Sequence, residues 1–309
     1  MRILHCLDNS NIGGIQGLIL NLHENSIHDH EFWAADGSMA PYMRSRGMLL
    51  WNSGPPTGRV YEVVVGHTVG GWSYQDTFRW ARQRGAKTVE VMHSNATSPT
   101  PPGLVDAFVS LNRIADGMNP NMPNRSTIYG IVEAGKFTGG RGERVGRLSR
   151  LAGEKRPQDF VTIASRIPEA KFVMAGDGPM FSLLRSQAPP NLEMVGNVTN
   201  FPAFYGGLRL FVFPTQDECC CISVAMAQAA GIPVICQDIA PLRETTGGFA
   251  FFASSVEGFV ETARYALFDP GGQALAEEYA QHGLDWAVRM FGVEETVGRW
   301  DVLINRLCS

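Results

Sequence analysis

A short apolar run, a turn of glycine or small polar residues, then an apolar stripe at helical spacing opens this chain and keeps returning along it. Arg2 to Leu7 is the first run. It ends in Asp8-Asn9-Ser10-Asn11, Gly13-Gly14 follows, and Ile15, Leu18, Ile19 and Leu22 then recur at the helical period. Further strands are expected at Glu31 to Ala35, Tyr61 to Val65, Thr88 to Met92 and Ala107 to Leu111, with a helix from Tyr74 to Gln83. Strands alternating with helices at this rhythm imply parallel sheets covered on both faces, the α/β class.

The pattern breaks at Thr138-Gly139-Gly140-Arg141-Gly142-Glu143, a glycine-rich linker candidate, and then restarts more clearly. Arg144 to Leu148, Ala170 to Ala175, Asn191 to Val195, Leu208 to Pro214 and Pro233 to Cys236 read as strands. Gln158 to Ile167, Phe181 to Gln187 and Ser223 to Ala230 read as the intervening helices. Long helices at Val256 to Phe268 and Gly272 to Arg289 carry the chain on. A chain of 309 residues is about two domains long. The expectation is two doubly wound, Rossmann-like domains, 1–137 and 144–285, with a helix over 286–309 packing back on the first.

Charge narrows the partners. Up to Phe137 there are 11 basic and 11 acidic residues; the remainder carries 15 and 19, so the net charge of −4 lies in the second half. That argues against nucleic acid, whose binding needs a basic footprint. Of the six cysteines, Cys219, Cys220 and Cys221 are consecutive and none forms a C-x-x-C or C-x-x-H pair. Neither zinc nor a disulfide framework is suggested, and reduced thiols of a cytoplasmic protein are the expectation. The apolar run after Arg2 is too short for a signal peptide, and no stretch approaches a membrane span.

In open parallel sheets ligands bind beyond the carboxyl ends of the strands. Gly176-Asp177-Gly178-Pro179 lies there, where glycines let a backbone approach phosphate and helix N–H groups favour an anion; a tight turn without ligand is the other reading. Gly13-Gly14 is equally two-sided. Glu218, in Thr215-Gln216-Asp217-Glu218, is a carboxylate at a strand end beside a helix start, either functional or a capping acid. Arg147 and Lys155 would add cations at the same rim as a diphosphate clamp, or be solvated surface charges. His93, after the strand Thr88 to Met92, points at an interdomain cleft or is structural. No Asp-x-Asp pair is present to grip a metal–diphosphate.

Taken in order, these segments resemble the donor domain of a family 4 (group 1) glycosyltransferase of GT-B architecture. Val145-Gly146-Arg147-Leu148 is followed by Glu154-Lys155-Arg156-Pro157, and Phe172 to Ala175 leads into Gly176-Asp177-Gly178-Pro179. Met194 to Val198, Phe211 to Thr215 before Glu218, and Ala229-Ala230-Gly231-Ile232-Pro233-Val234-Ile235 complete the series. The resemblance implies two domains facing each other across a cleft and metal-independent hexosyl transfer with retention, from a UDP- or GDP-type sugar. The acceptor would be a glycan, a lipid-linked sugar or a small molecule. By the same resemblance, Arg147 and Lys155 would hold the diphosphate. Glu218, with the backbone near Cys220, Cys221, Ile222 and Ser223, would hold the sugar. Gly13, Gly14, Gly176, Asp177, Gly178, Asn197 and Val198 would line the donor site, and His93 would meet the transferred sugar. No resident cofactor or metal is implied. Peripheral contact with the inner face of a membrane would rest on the basic group Arg79, Arg82, Arg84 and Lys87.

Three departures stand out. The family repeats a glutamate eight residues after the first, where this chain has Met226, which cannot accept ribose hydrogen bonds. Cys219 to Cys221 replaces a Gly/Phe-rich stretch. Extra residues from Ser149 to Gly153 are expected to push Lys155 away from Arg147. Met226 motivates an alternative, a degenerate GT-B protein that binds a nucleotide or partner without turnover. A nucleotide-sugar epimerase shares the architecture, but no added acid/base pair supports it.

Overall fold

The computed structural model describes residues 1–10, 13–52, 56, 58–69, 73–137 and 142–309. Of the linker candidate Thr138 to Glu143, residues 138–141 lie outside the described residues. The chain divides into two compact units, Met1–Ile131 with Phe291–Ser309, and Val132–Met290.

The first unit runs β1 (Arg2–Asn9), α1 (Gly14–Asn25), β2 (Asp29–Ala35), α2 (Ala40–Ser45), β3 (Leu50–Trp51), β4 (Val63–Thr68), α3 (Gln75–Arg82), β5 (Lys87–Met92), β6 (Ala107–Ser110), α4 (Arg113–Gly117) and β7 (Ser126–Thr127). Its seven strands are parallel in the order β3-β2-β1-β4-β5-β6-β7. Every residue of β4 is buried, as a strand covered on both faces requires. Leu4, Cys6 and Val64 pack with Tyr61 and Ala81 on one side of this sheet, and Leu7 and Phe32 pack with Ile19 and Met43 in a second cluster.

The second unit runs β8 (Arg144–Leu148), α5 (Pro157–Ser165), β9 (Phe172–Ala175), α6 (Phe181–Gln187), β10 (Leu192–Gly196), α7 (Phe201–Gly206), β11 (Leu208–Phe213), α8 (Ile222–Ala229), β12 (Val234–Gln237), α9 (Ala240–Thr246), β13 (Phe251–Ala253), α10 (Val256–Phe268) and α11 (Pro270–Phe291). Its six parallel strands take the order β10-β9-β8-β11-β12-β13. Alternation decides its two cores. Phe172, Met174, Leu210, Val212 and Ile235 join one cluster, while Val173, Ala175, Phe211, Phe213 and Val234 join the other. A final helix, α12 (Val293–Cys308), belongs to the first unit, where it packs on α1.

The units differ at their edges from the sequence expectation of 1–137, 144–285 and 286–309. Residues 132–137 group with the second unit, where Phe137 stands edge-on to Tyr205 at 5.7 Å. Residues 286–290 do so as well, because Trp286 donates its Nε1–H to the Thr245 carbonyl at 2.9 Å. The expected terminal helix starts at Val293, since Gly292 leaves helical geometry with ψ 147°.

Strand order reverses between β1 and β4 in one sheet and between β8 and β11 in the other. At such a point neighbouring crossovers leave to opposite faces and a crevice opens at the carboxyl ends. Both candidate sites lie there.

Candidate functional site

In the second unit the crevice is built from the ends of β8 and β11 and the start of α8. The ammonium of Lys155 donates to Glu218 Oε1 at 2.7 Å and reaches the Asp217 carbonyl at 3.3 Å. Thr215 Oγ1 donates to the same carboxylate oxygen at 3.4 Å. Glu218 is buried, and burial pushes its carboxyl above the usual range, opposed by Lys155 and then Arg147. The Lys155 side chain keeps 22% of its surface exposed, so it is a cation this rim presents.

Arg147 has a different place from the one expected of a solvent-facing clamp. It is fully buried, donates to the carbonyls of Pro214 and Lys155, and lies over the Phe213 ring at 4.9 Å. Burial lowers its pKa to about 10, which leaves it protonated at neutral pH. Its guanidinium therefore braces the backbone on which Lys155 and Thr215 stand.

That contact also corrects the expectation that residues Ser149 to Gly153 separate Lys155 from Arg147. The added loop folds under itself. Leu151 buries its side chain, its N–H donates to the Asp177 carbonyl at 2.8 Å, and its carbonyl accepts from Met180 N–H at 3.0 Å. A single 3-10 turn, Gly153–Lys155, then returns the chain to Arg147.

The same loop explains the glycines of Gly176-Asp177-Gly178. Gly176 has φ +122° and Gly178 φ +153°, and a Cβ on Gly176 would lie 1.9 Å from the Ser149 carbonyl oxygen. A Cβ on Gly178 would lie 2.6 Å from that of Leu151. The close approach these glycines permit is thus to the chain's own backbone, while Asp177 stays exposed. Asn197 is exposed and Val198 half-buried just past β10.

At the start of α8, Cys221 is buried with Sγ 3.4 Å from Ser223 Oγ, and Tyr205 donates to the Ser223 carbonyl at 2.8 Å. Ile222 and Ser223 are half-buried, as is Cys220. Burial raises the Cys219 and Cys221 thiols, so they stay protonated. Met226 packs against the apolar cluster of Phe211 and Val224. Gln228 turns away and donates to the Thr246 and Phe249 carbonyls, both at 3.1 Å.

In the first unit a pocket of about 250 Å³ lies at the β1–β4 crevice, lined by Leu7, Asp8, Ile15, Gln16, His67, Val69 and Tyr74. Gly13 and Gly14 are exposed at the start of α1; Gly13 has extended backbone that any residue adopts. His93 is not solitary. Its Nε2 lies 2.8 Å from His67 Nδ1, His67 Nε2 lies 2.9 Å from His5 Nδ1, and His5 Nε2 lies 2.8 Å from His30 Nδ1. Sequence reasoning missed this row, because only strand register reveals it. Three residues before His93 on β5, buried Glu90 accepts from Thr68, Ser98 and Thr100 at 2.6–2.8 Å and ties the following loop to β5.

The basic group on α3 is largely engaged by its neighbours. Arg79 pairs with Asp76 at 2.7 Å, Arg82 donates to the Gly103 carbonyl at 2.8 Å, and Arg84 lies over Trp80 at 4.8 Å. Among the described residues no helix is long and apolar enough to cross a membrane, and no three His, Cys, Asp or Glu are grouped to hold a metal ion.

Two doubly wound parallel α/β units, each with a candidate site at its switch point, make up the GT-B architecture. Residues 142–269 match the family described as Glycosyl transferases group 1. A GDP-mannose-dependent alpha-mannosyltransferase of Mycolicibacterium smegmatis is 32% identical over 103 residues, which are 32% of this chain and 27% of that one. The chain thus spans about a quarter of the length of the curated relatives it matches. The Anabaena HepE protein in complex with UDP-glucose is similar with a TM-score of 0.82, over 99% of this chain and 100% of that one, at 13% identity. Sucrose-phosphate synthase of Thermosynechococcus elongatus is similar with a TM-score of 0.76, over 99% and 98% respectively, at 12% identity. Residues 142–269 are thus similar to the group 1 glycosyltransferases, and the fold of the whole chain is similar to that of GT-B structures.

Proposed function

We propose that this protein transfers a hexosyl group, with retention of configuration, from a nucleoside diphosphate sugar of UDP or GDP type to a hydroxyl acceptor. The observation that carries this is the Lys155–Glu218 pair at 2.7 Å, set at the switch point beside the start of α8. When the bond from the anomeric carbon to the diphosphate breaks, negative charge grows on the leaving phosphate. A fixed ammonium and the N–H groups of a helix start stabilise that charge without reorganising at the moment of reaction. Glu218, freed from Lys155 as the phosphate takes the ammonium, accepts hydrogen bonds from sugar hydroxyls. Arg147 acts through the backbone of Lys155 and Pro214. Asn197, Val198, Cys220, Cys221, Ile222 and Ser223 line the donor side in this proposal, and His93 hydrogen-bonds a hydroxyl of the transferred sugar. The acceptor is a glycan, a lipid-linked sugar or a small molecule.

Incubating the protein with UDP- and GDP-hexoses and following nucleoside diphosphate release tests this. Lys155→Ala and Glu218→Ala should each lower the rate at least tenfold; unchanged rates in both would refute the site. Met226 favours a second reading, a protein that binds nucleotide without turnover, because a thioether packed on an apolar cluster stands where a ribose-binding carboxylate would be needed. Tight nucleoside diphosphate binding by calorimetry, with no product from a broad donor and acceptor screen, would select it.

A further inference from the structure

The histidine row follows from register. His30 on β2 is opposite Ile3 on β1, His5 on β1 is opposite Val65 on β4, and His67 on β4 is opposite Val91 on β5. Each next histidine lies two residues further along its strand than the partner of the one before. A step of two keeps the side chain on the same face. The row therefore climbs one face of the sheet diagonally, from the start of β2 to the end of β5.

Proton counting then leaves two states. His5, His30 and His67 are buried and the centroids of neighbouring rings in the row lie 5.1–5.2 Å apart, so a charge on one would be unsolvated and beside the next. Four neutral rings carry four N–H protons, and the three N···N contacts use three of them. If every contact has one proton, the fourth sits at an end, either on His30 Nε2 or on His93 Nδ1. His30 Nε2 is buried with no partner among the described residues. Two other buried nitrogens near the row lack a partner among the described residues, His28 Nε2 and Trp300 Nε1, and neither lies within hydrogen-bond distance of His30 Nε2; the Trp300 ring stands edge-on to His5 at 6.5 Å. Trp300 can only donate, so it offers no acceptor for a proton on His30. An orphaned buried N–H is rarer in proteins than an acceptor with an unused lone pair.

We infer that His30, His5 and His67 act as positioning residues that lock His93 in the tautomer protonated on Nδ1, so that His93 is a fixed hydrogen-bond donor. The row runs His30 Nδ1–H to His5, His5 Nδ1–H to His67 and His67 Nδ1–H to His93 Nε2. The half-buried His93 then directs its remaining N–H outward and recognises an oxygen lone pair, such as that of a hydroxyl. A lone imidazole at the end of β5 would sample both tautomers and present a donor only part of the time. The functional consequence rests on the proposed contact of His93 with the sugar; the tautomer itself does not.

Nitrogen spectroscopy of isotope-labelled imidazoles in the intact protein at neutral pH decides the matter, with signals assigned by single substitutions. The expected spectrum has His93 protonated on Nδ1 and bare on Nε2. His93 protonated on Nε2, or charged, overturns the inference. His67→Phe should make His93 a mixture of tautomers and lower kcat about tenfold, the loss of roughly one hydrogen bond. His67→Asn, whose amide can donate where Nδ1–H did, should recover the single tautomer and part of the rate. A folded His67→Phe variant that keeps one His93 tautomer refutes the transmission; if it does not fold, the wild-type spectrum still decides. The expected spectrum in a protein that transfers no sugar would refute the proposed function and leave the tautomer lock standing.

Discussion

Replacing Gly176 with alanine separates two meanings of its glycine. The new Cβ would stand 1.9 Å from the Ser149 carbonyl oxygen, where real contacts stay beyond 3.0 Å, so the loop must retreat by more than 1 Å. Retreat puts at risk the hydrogen bonds from Ser149 N to the Ala175 carbonyl and from Leu151 N to the Asp177 carbonyl, at 3.2 and 2.8 Å. Each is worth about 0.5–1.5 kcal/mol net. A φ of +122° in a residue with a side chain adds about 1–3 kcal/mol. The expected cost is roughly 3–5 kcal/mol, or about 10 °C in Tm for a unit of this size. Calorimetry without ligand reads it directly, and the transition of the second unit should move alone. The same retreat shifts the strap that carries Lys155, so nucleoside diphosphate binding should weaken too. If the glycine serves only a ligand's approach, affinity falls while Tm without ligand barely changes. A Tm shift under about 2 °C would refute the packing argument.

Arg147→Met should be costly despite similar volume, because it leaves the buried carbonyls of Pro214 and Lys155 without their donor; a loss of about 2–4 kcal/mol by denaturant titration is expected. The histidine row should make the first unit acid-sensitive. Burial holds His30 down to about 2 and His93 to about 3, against 6.5 when unfolded, so unfolding takes up protons below pH 6.5. Stability is then complete above about 6.5 and falls as pH drops, by about 1.4 kcal/mol per pH unit for each histidine. His30→Phe should flatten that slope by roughly one proton, measured as Tm against pH. Glu218 has the opposite sign, since its carboxyl is raised above 4.5. Between 4.5 and its folded value the folded state holds the extra proton, so stability falls as pH rises through that window. Glu218→Gln should remove this fall.

Much of the second unit is legible from pattern. Phe181–Gln187 and Val256–Phe268 stand where helical spacing places them, and the rim turns after β9 and β11 were identifiable from glycines and charges. β13 and α9 were not, because Phe249-Ala250-Phe251-Phe252 and Ala240 to Thr246 are too short for periodicity to separate strand, helix and loop. The convergence of Lys155 and Glu218 was suggested by the family resemblance. The burial of Arg147 was not, since an arginine after a strand looks the same whether it meets solvent or two backbone carbonyls.

Alternation of apolar runs with turns and helical stripes is a local property, readable within about ten residues, and it settled the α/β class and the parallel sheets. Register between strands is not local. It is set by packing across the whole sheet, and a slip of one residue would turn His5, His30 or His67 to the opposite face. Only tertiary structure could therefore join histidines from β1, β2 and β4 to His93. It alone also decided that Gly176 makes room for the loop of Ser149, because that contact is fixed by where two loops cross and by nothing written in either.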